Sequence, residues 1–324
     1  MTDLSQGRGS PGLSAAALRN LAPPALLLFL VVFIALFVPS FLSAQTLTMV
    51  LADTAVLFIL AAGETFVILL GGIDLSIQAL ASLASVIVAQ FLPSLGPAAF
   101  ALAVAAGLIF GLASGVVHVG LRVPSFVATL ASGGVVAGLA LLAAHGRAIT
   151  IEENGRVYTS WINASTFGLP NVVVISLIVG LAGFFVLRYT RFGRYTVAVG
   201  AGEPAALAAG VNVNRTKIIG FAISGTLAAI AGAILAARLS SGSPTLANQL
   251  LLPAIAAVIV GGTAITGGLG SVGRTAVGAL IISVVRIGMT FVGVDIFAEN
   301  VVFGAMLIAA VAITIDRSKI AIIK

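Results

Sequence analysis

Long apolar blocks, each bounded by a short polar or glycine-rich connector, repeat along nearly the whole chain. A helix crossing a bilayer needs about 20 apolar residues at ~1.5 Å rise each. Blocks of that order fall at 22–38, 47–70, 75–92, 97–119, 125–144, 170–187, 218–237, 249–266, 275–293 and 299–315. The pattern predicts an all-α polytopic membrane protein with about ten transmembrane helices. The largest polar connectors are the N-terminal 20 residues, a loop around 145–168 and another around 188–217. None suffices for a separate soluble domain, so a single transmembrane domain is expected over 1–324. The first apolar run, Ala25 to Val38, is read as an uncleaved helix, because signal-peptide cleavage sites prefer a small residue where Leu42 stands.

Glycine interrupts this pattern in two places. In "LLGGIDLSI" at 69–77, Gly71 and Gly72 suit the left-handed geometry that ends a helix, and Asp74 or Ser76 suits the cap of the next one. The alternative is a break whose exposed amides face a solute. The segment "GGTAITGGLGSVG" at 261–273 is too glycine-rich for regular helix throughout. In lipid such backbone must be buried in protein or line a watery cavity. No Gly-Lys-Ser/Thr follows it, so it is not a phosphate loop. The two breaks do not hold equivalent places in two five-span halves, and no internal repeat is evident. Most of the remaining glycines read as packing devices between helices. Within 188–217, Pro204 suits the first position of a helix, Ala205 to Ala209 propagate it and Gly210 suits its end. A helix of about two turns is marginal alone, so it is expected to pack against something.

Composition agrees: 60% of residues are hydrophobic and 8% charged, against roughly 45–50% and 25% in soluble domains. The net charge of +6 comes from basic residues in short loops without interleaved aromatics, which argues against nucleic acid. Their placement reads as topology. With the N-terminus cytoplasmic, twelve of the sixteen Lys and Arg residues fall inside (Arg8, Arg19, Arg122, Arg188, Arg191, Arg194, Arg215, Lys217, Arg274, Arg317, Lys319 and Lys324), and only Arg147, Arg156 and Arg238 fall outside. Both termini and the 188–217 loop are then cytoplasmic, and the 145–168 loop with Tyr158 and Trp161 faces out.

Candidate chemistry is sparse. Without cysteine there are no disulfides, thiolate nucleophiles or Cys-based metal sites, and His118 and His145 stand too far apart for a metal pair. No metal or cofactor is expected, and no Ser-His constellation supports an intramembrane enzyme. Asp53 and Glu64, eleven residues apart in the second span, lie on almost the same helix face. A carboxylate inside the bilayer costs several kcal/mol or more. That face must therefore line a polar path, reach the outer interface, or pair with Arg286 in the ninth span.

From about 50 to 317 the chain resembles the permease subunits of bacterial ABC importers for monosaccharides of the ribose/xylose/arabinose type. "GETFVILLGGIDLSI" is similar to that family's signature, "VPSFVATL" at 123–130 to its next recurrent segment, and "GRYTVAVGAGEPAALAAGVNV" at 193–213 to its coupling segment. "IAAVIVGGTAITGGLGSVG" at 255–273, "GMTFVGV" at 288–294 and "AITIDR" at 312–317 follow in the family's order. The chain departs from the family's usual residues at Ile77-Gln78-Ala79, Gly202, Pro253-Ala254 and Ile287.

The resemblance implies an inner-membrane permease that works with a second permease copy, a cytoplasmic ATP-binding subunit and a periplasmic substrate-binding protein. It places Gly200, Glu203, Pro204, Ala205, Ala206 and Gly210 in the ATPase-coupling segment. Glu64, Thr65, Gly71, Gly72, Asp74, Ser76, Thr129, Gly261 and Gly262 become candidates for the translocation path or its signature. A sugar path should offer dispersed hydroxyl and amide partners rather than a fixed charge, because the solute must also leave, and Thr65, Ser76, Ser82, Thr129 and Ser132 are candidates, although such residues usually bond their own helix backbone. The expected function is ATP-driven import of a monosaccharide or related polyol. The alternatives are an ion-coupled transporter using Asp53, Glu64 and Asp74, or an ABC permease for another small polar solute such as an amino acid.

Overall fold

A computed structural model describes residues 15–295 and 298–314. The segment carrying Arg8 and the tail carrying Arg317, Lys319 and Lys324 lie outside the described residues, as do the terminal parts of the N-terminal polar segment and of "AITIDR". The described residues form thirteen α-helices: α1 (Ala15–Phe37), α2 (Ala44–Leu69), α3 (Ile77–Leu95), α4 (Ala98–Gly120), α5 (Ser125–Ala143), α6 (Glu153–Asn163), α7 (Asn171–Tyr189), α8 (Arg191–Ala201), α9 (Glu203–Ala208), α10 (Val213–Leu239), α11 (Leu251–Val260), α12 (Val272–Val292) and α13 (Glu299–Thr314). Seven of them, α2, α3, α4, α5, α7, α10 and α12, are long and apolar enough to cross a membrane, and three shorter apolar helices accompany them.

Each expected span contains a helix, but three boundaries need correction. The eighth helix stops at Val260 rather than 266. Gly262 takes φ +96°, and the N–H groups of Gly262 and Thr263 turn back to the carbonyls of Ile259 and Val258, closing α11. The 188–217 connector holds two helices rather than one, because Thr190 accepts from the Gly193 N–H and so caps α8. Pro204 stands second in α9, after Glu203, while α10 starts at Val213, capped by the Asn212 side chain on Arg215 N–H at 2.9 Å. The 145–168 connector is also structured: it contains α6 and two short ladders, Ile149–Thr150 with Ser241–Gly242 and Ser165–Thr166 with Leu169–Pro170.

Two helices organise the core. Helix α2 packs against α7, α10, α11 and α12, whereas α10 packs against α2, α3 and α4. The α4–α10 crossing is close because Gly107, Gly111 and Gly115 repeat every fourth residue of α4. A Cβ at any of these positions would meet Gly225, Phe221, Ile218 or their neighbours. Small residues at this spacing are what permit two backbones to approach. The outer faces of α4, α5 and α7 stay apolar and exposed, with Ile109, Leu130, Leu142, Ile178, Leu181 and Phe185 among them. A surface of this kind suits lipid rather than water.

Candidate functional site

The break after α2 is a knot of hydrogen bonds around the buried Asp74 and Ser76, with Gly71 exposed and Gly72, Ile73 and Leu75 half-buried. Leu70 and Gly71 close the helix: Gly71 adopts φ +80°, and Gly71 and Gly72 donate to the carbonyls of Ile68 and Val67. The next four amides have no helical partner, and each donates to a side chain instead. Ile73 N–H goes to Ser125 Oγ at 3.1 Å, Asp74 N–H to Glu64 Oε1 at 3.0 Å, Leu75 N–H to Thr129 Oγ1 at 3.0 Å and Ser76 N–H to Asp74 Oδ1 at 2.9 Å. In the absence of water an unmatched amide costs several kcal/mol. The acidic and hydroxyl residues around "GGIDLS" therefore serve a local purpose, completing the hydrogen bonding of a non-helical segment inside the bundle.

Asp74 is the hub. Its Oδ1 also accepts the Ser76 hydroxyl, and its Oδ2 accepts the Ser224 hydroxyl of α10 at 2.8 Å. Asp74, Ser76, Glu64, Thr65 and Thr129 are all buried. The expected capping role is corrected here: Ser76 occupies the position before α3 but makes no side-chain cap, because its hydroxyl is spent on Asp74. Asp74 itself accepts from the residue two positions on, forming a turn of its own rather than capping the first turn of α3.

Glu64 does not reach Arg286. Its Oε1 holds the Asp74 amide, while its Oε2 is buried without a partner among the described residues. Arg286 instead approaches Asp53, at 3.4 Å. Thr65 bridges two spans, donating to or accepting from Thr275 of α12 at 2.7 Å and bonding the Ala61 carbonyl at 2.8 Å. Ser82 Oγ accepts from Ala247 N–H, and Ser132 Oγ is paired with Ser114 Oγ at 2.7 Å.

A second constellation is made of backbone. Gly200, near the end of α8, lies against the Leu69 carbonyl and the Gly268 amide, and a Cβ there would overlap both. Gly268 N–H in turn donates to Leu69 O at 2.9 Å, and Gly267 lies against Gly71. The end of α2, the end of α8 and the 261–271 loop thus cross at one point. Gly261 and Gly262 lie apart from the Asp74 knot, where α11 crosses α12: a Cβ on Gly261 would meet the Arg274 carbonyl.

Helix α9 projects from this junction. Only Ala206 is buried in it, clustered with Leu70, Val199 and Val213. Lys217 of α10 holds Glu203 at 2.6 Å. Pro204, Ala205 and Ala208 are exposed, Leu207 is 59% exposed, and Gly210 at φ +79° terminates the helix. The knob is therefore tied at its inner face, through Leu70, to the end of α2.

Sequence reasoning missed Ser125, Ser224 and Thr275. Ser125 had a signal, since it stands four residues before Thr129 and shares its helix face. For Ser224 and Thr275 nothing local distinguishes them from other small residues of a packed span.

Similarity to known proteins extends across these elements. The family described as "Branched-chain amino acid transport system / permease component" matches residues 46–311. The ribose import permease of Escherichia coli strain K12 is 36% identical over 291 residues, 89% of this chain and 91% of that protein. The ribose import permease of Bacillus subtilis strain 168 is 35% identical over 304 residues, 93% and 94% of the two chains. The L-arabinose transport system permease of Escherichia coli strain K12 is 35% identical over 306 residues, 91% and 90% of the two chains.

Proposed function

This chain belongs to the family of ABC-importer permeases that contains the ribose and L-arabinose permeases, and we propose that it carries a monosaccharide or related polyol across the bacterial inner membrane. It is a multi-pass transport subunit, and the bond chemistry of ATP hydrolysis belongs to a partner. In this reading the one domain spans the bilayer ten times, with both termini and α9 in the cytoplasm. A second permease copy, homologous or identical, completes the path. A periplasmic binding protein delivers the solute at the face opposite α9, and lipid covers the apolar outer faces of α4, α5 and α7.

One observation carries the reading: α9 is a two-turn helix with a bare outer face and an inner face anchored at the end of α2. Such a helix is a lever awaiting a socket. Nucleotide-driven movement of an ATPase groove around Pro204, Ala205 and Leu207 would pass through Ala206 and Leu70 to the α2 break and the Gly200 junction. Alternation between outward- and inward-open states then requires only that the two states differ in these contacts. The family's description in terms of branched-chain amino acids keeps an amino-acid solute as the nearest rival, and the sugar permeases at about 35% identity favour the sugar.

Gly210→Trp, or deletion of 203–209, is expected to leave the permease inserted in the membrane while it no longer retains or stimulates its ATPase. Unimpaired ATPase-coupled uptake by either variant would refute the coupling role. Solute identity is tested separately, by asking which sugars raise the melting temperature of the partner binding protein.

A further inference from the structure

Beside α9, an open cavity of about 510 Å³ lies between the α4–α5 turn and the start of α10, with His118, Arg122, Pro124, Glu203, Asn214 and Lys217 among its lining residues. Lys217 and Glu203 neutralise each other across 2.6 Å. Arg122 is the cation left over. It is exposed and makes no ion pair or side-chain hydrogen bond among the described residues.

The backbone that carries Arg122 is strained. Leu121 caps α4, and Arg122 follows at φ +55°, in the left-handed position that glycine usually fills just past a helix. The turn is pinned in this shape by His118. The Val123 carbonyl can only accept, so His118 Nδ1 donates to it at 2.6 Å, and the His118 ring stands edge-on to Phe221. Packing does not call for an arginine at an exposed position. A disfavoured backbone that nonetheless carries a long, unpaired cation points to a partner outside the chain.

The cavity also selects that partner's chemistry. One free guanidinium beside a neutralised pair is matched by a single negative charge, and its planar fork fits a carboxylate through two parallel hydrogen bonds. A dianionic phosphate would in addition face the Glu203 carboxylate. Glu203 is the first residue of α9, so a protein seated on Pro204, Ala205 and Leu207 also covers the cavity.

We propose that an aspartate or glutamate side chain of the ATP-binding subunit enters this cavity and pairs with Arg122, a second and charged contact next to the α9 knob. The inference rests on reading α9 as the ATPase-coupling helix, and it adds the surface beside α9 and the chemistry of the group that meets it. With contacts on both α9 and the α4–α5 turn, movement of the ATPase reaches α4 as well as α2.

The test measures the affinity of the full-length permease, in nanodiscs of neutral phosphatidylcholine, for the ATP-binding subunit of the same transporter. Arg122→Gly should weaken binding about tenfold, as expected for loss of a charge-assisted hydrogen bond. The same variant should melt no lower than the parent, because glycine relieves the left-handed backbone. Arg122→Lys, which keeps the charge without the fork, should fall between the two. Arg122→Glu should bind more weakly still, with its gap to the parent narrowing as salt is added. Equal affinity for the parent and Arg122→Gly, or a loss of affinity that tracks a lowered melting temperature, overturns the proposal. So does a dependence on Arg122 that appears only when phosphatidylglycerol is added to the nanodiscs, which would assign the cavity to a lipid headgroup. Deletion of 203–209 reads the α9 assignment separately. Binding lost on that deletion but unchanged in the Arg122 variants leaves the assignment standing and removes the charged contact. Parent-like binding by the deletion variant, or no binding by the parent, removes the assignment and the inference with it.

Discussion

The two glycine-rich breaks end their helices with the same backbone turn and then complete their hydrogen bonding by different means. After α2, Gly71 closes the helix and four successive amides from Ile73 to Ser76 are taken up by Ser125, Glu64, Thr129 and Asp74. After α11, Gly262 closes the helix and the loop then bonds largely to backbone: Ala264 N–H to Leu269 O at 2.8 Å, Gly267 N–H to Ala264 O at 3.0 Å, and Gly268 N–H to Leu69 O. The first break depends on what its neighbours' side chains can accept. The second depends on what its own residues lack, since Gly267, Gly268 and Gly270 all have positive φ, the first two lying against other chain segments and Gly270 against Thr263 of the same loop. One non-helical segment is thus vulnerable to loss of polarity, the other to gain of bulk.

Asp74→Leu should break the first segment most severely. It leaves the Ser76 amide, the Ser76 hydroxyl and the Ser224 hydroxyl without acceptors, at about 1–3 kcal/mol each. The expected outcome is loss of a folded, monodisperse species on size exclusion in detergent, while Asp74→Asn, which keeps an accepting oxygen, retains both fold and transport. A leucine variant that elutes and melts like the parent would remove the hub role.

Gly268→Val should break the second segment at a cost of about 3 kcal/mol, from a disfavoured backbone region and from contact with Ala201. Its control is Gly273→Val, where nothing lies within 4 Å of a Cβ. Equal melting temperatures for the two variants would show that the junction tolerates bulk.

The smallest effects sharpen the contrast within one residue type. Thr129→Val removes the acceptor of Leu75 N–H and should cost about 1–3 kcal/mol. Thr263→Val should stay within about 0.5 kcal/mol, because the Thr263 hydroxyl is buried without a partner and its amide already bonds Val258. Denaturation midpoints for the pair that fall together would erase the distinction between the two breaks.

Some of this was legible along the chain and some was not. The spans follow from block length, and the helix ends at Gly71 and Gly210 follow from glycine's access to positive φ, whereas block length carried the eighth helix on to 266, past the turn at Gly262. Helix α9 was legible too, since proline, alanine and glycine stood in the right order. Helices α6 and α8 were not, because short polar helices carry no hydrophobic block to announce them and are held by packing. The resemblance placed Gly200 in the coupling segment without an orientation; it is packed inside the three-way junction, and Glu203 to Gly210 form the projecting knob. Motif likeness reports which residues travel together and not which way each one faces.

Periodicity alone placed Asp53 and Glu64 on one face of α2 and required this face to look into protein or water, because a carboxylate in lipid is too costly to leave bare. It did not assign their partners. Tertiary structure did so through the crossing of distant spans: α12 brings Arg286 to Asp53, and the turn after α2 brings the Asp74 amide back to Glu64. Asp74 itself closes onto Ser224, 150 positions away. Local composition decides where a helix starts, ends and meets lipid, since those energies are summed over neighbours in sequence. Which polar atom satisfies which depends on angles and offsets between helices, and these are decided by the packing of the whole bundle.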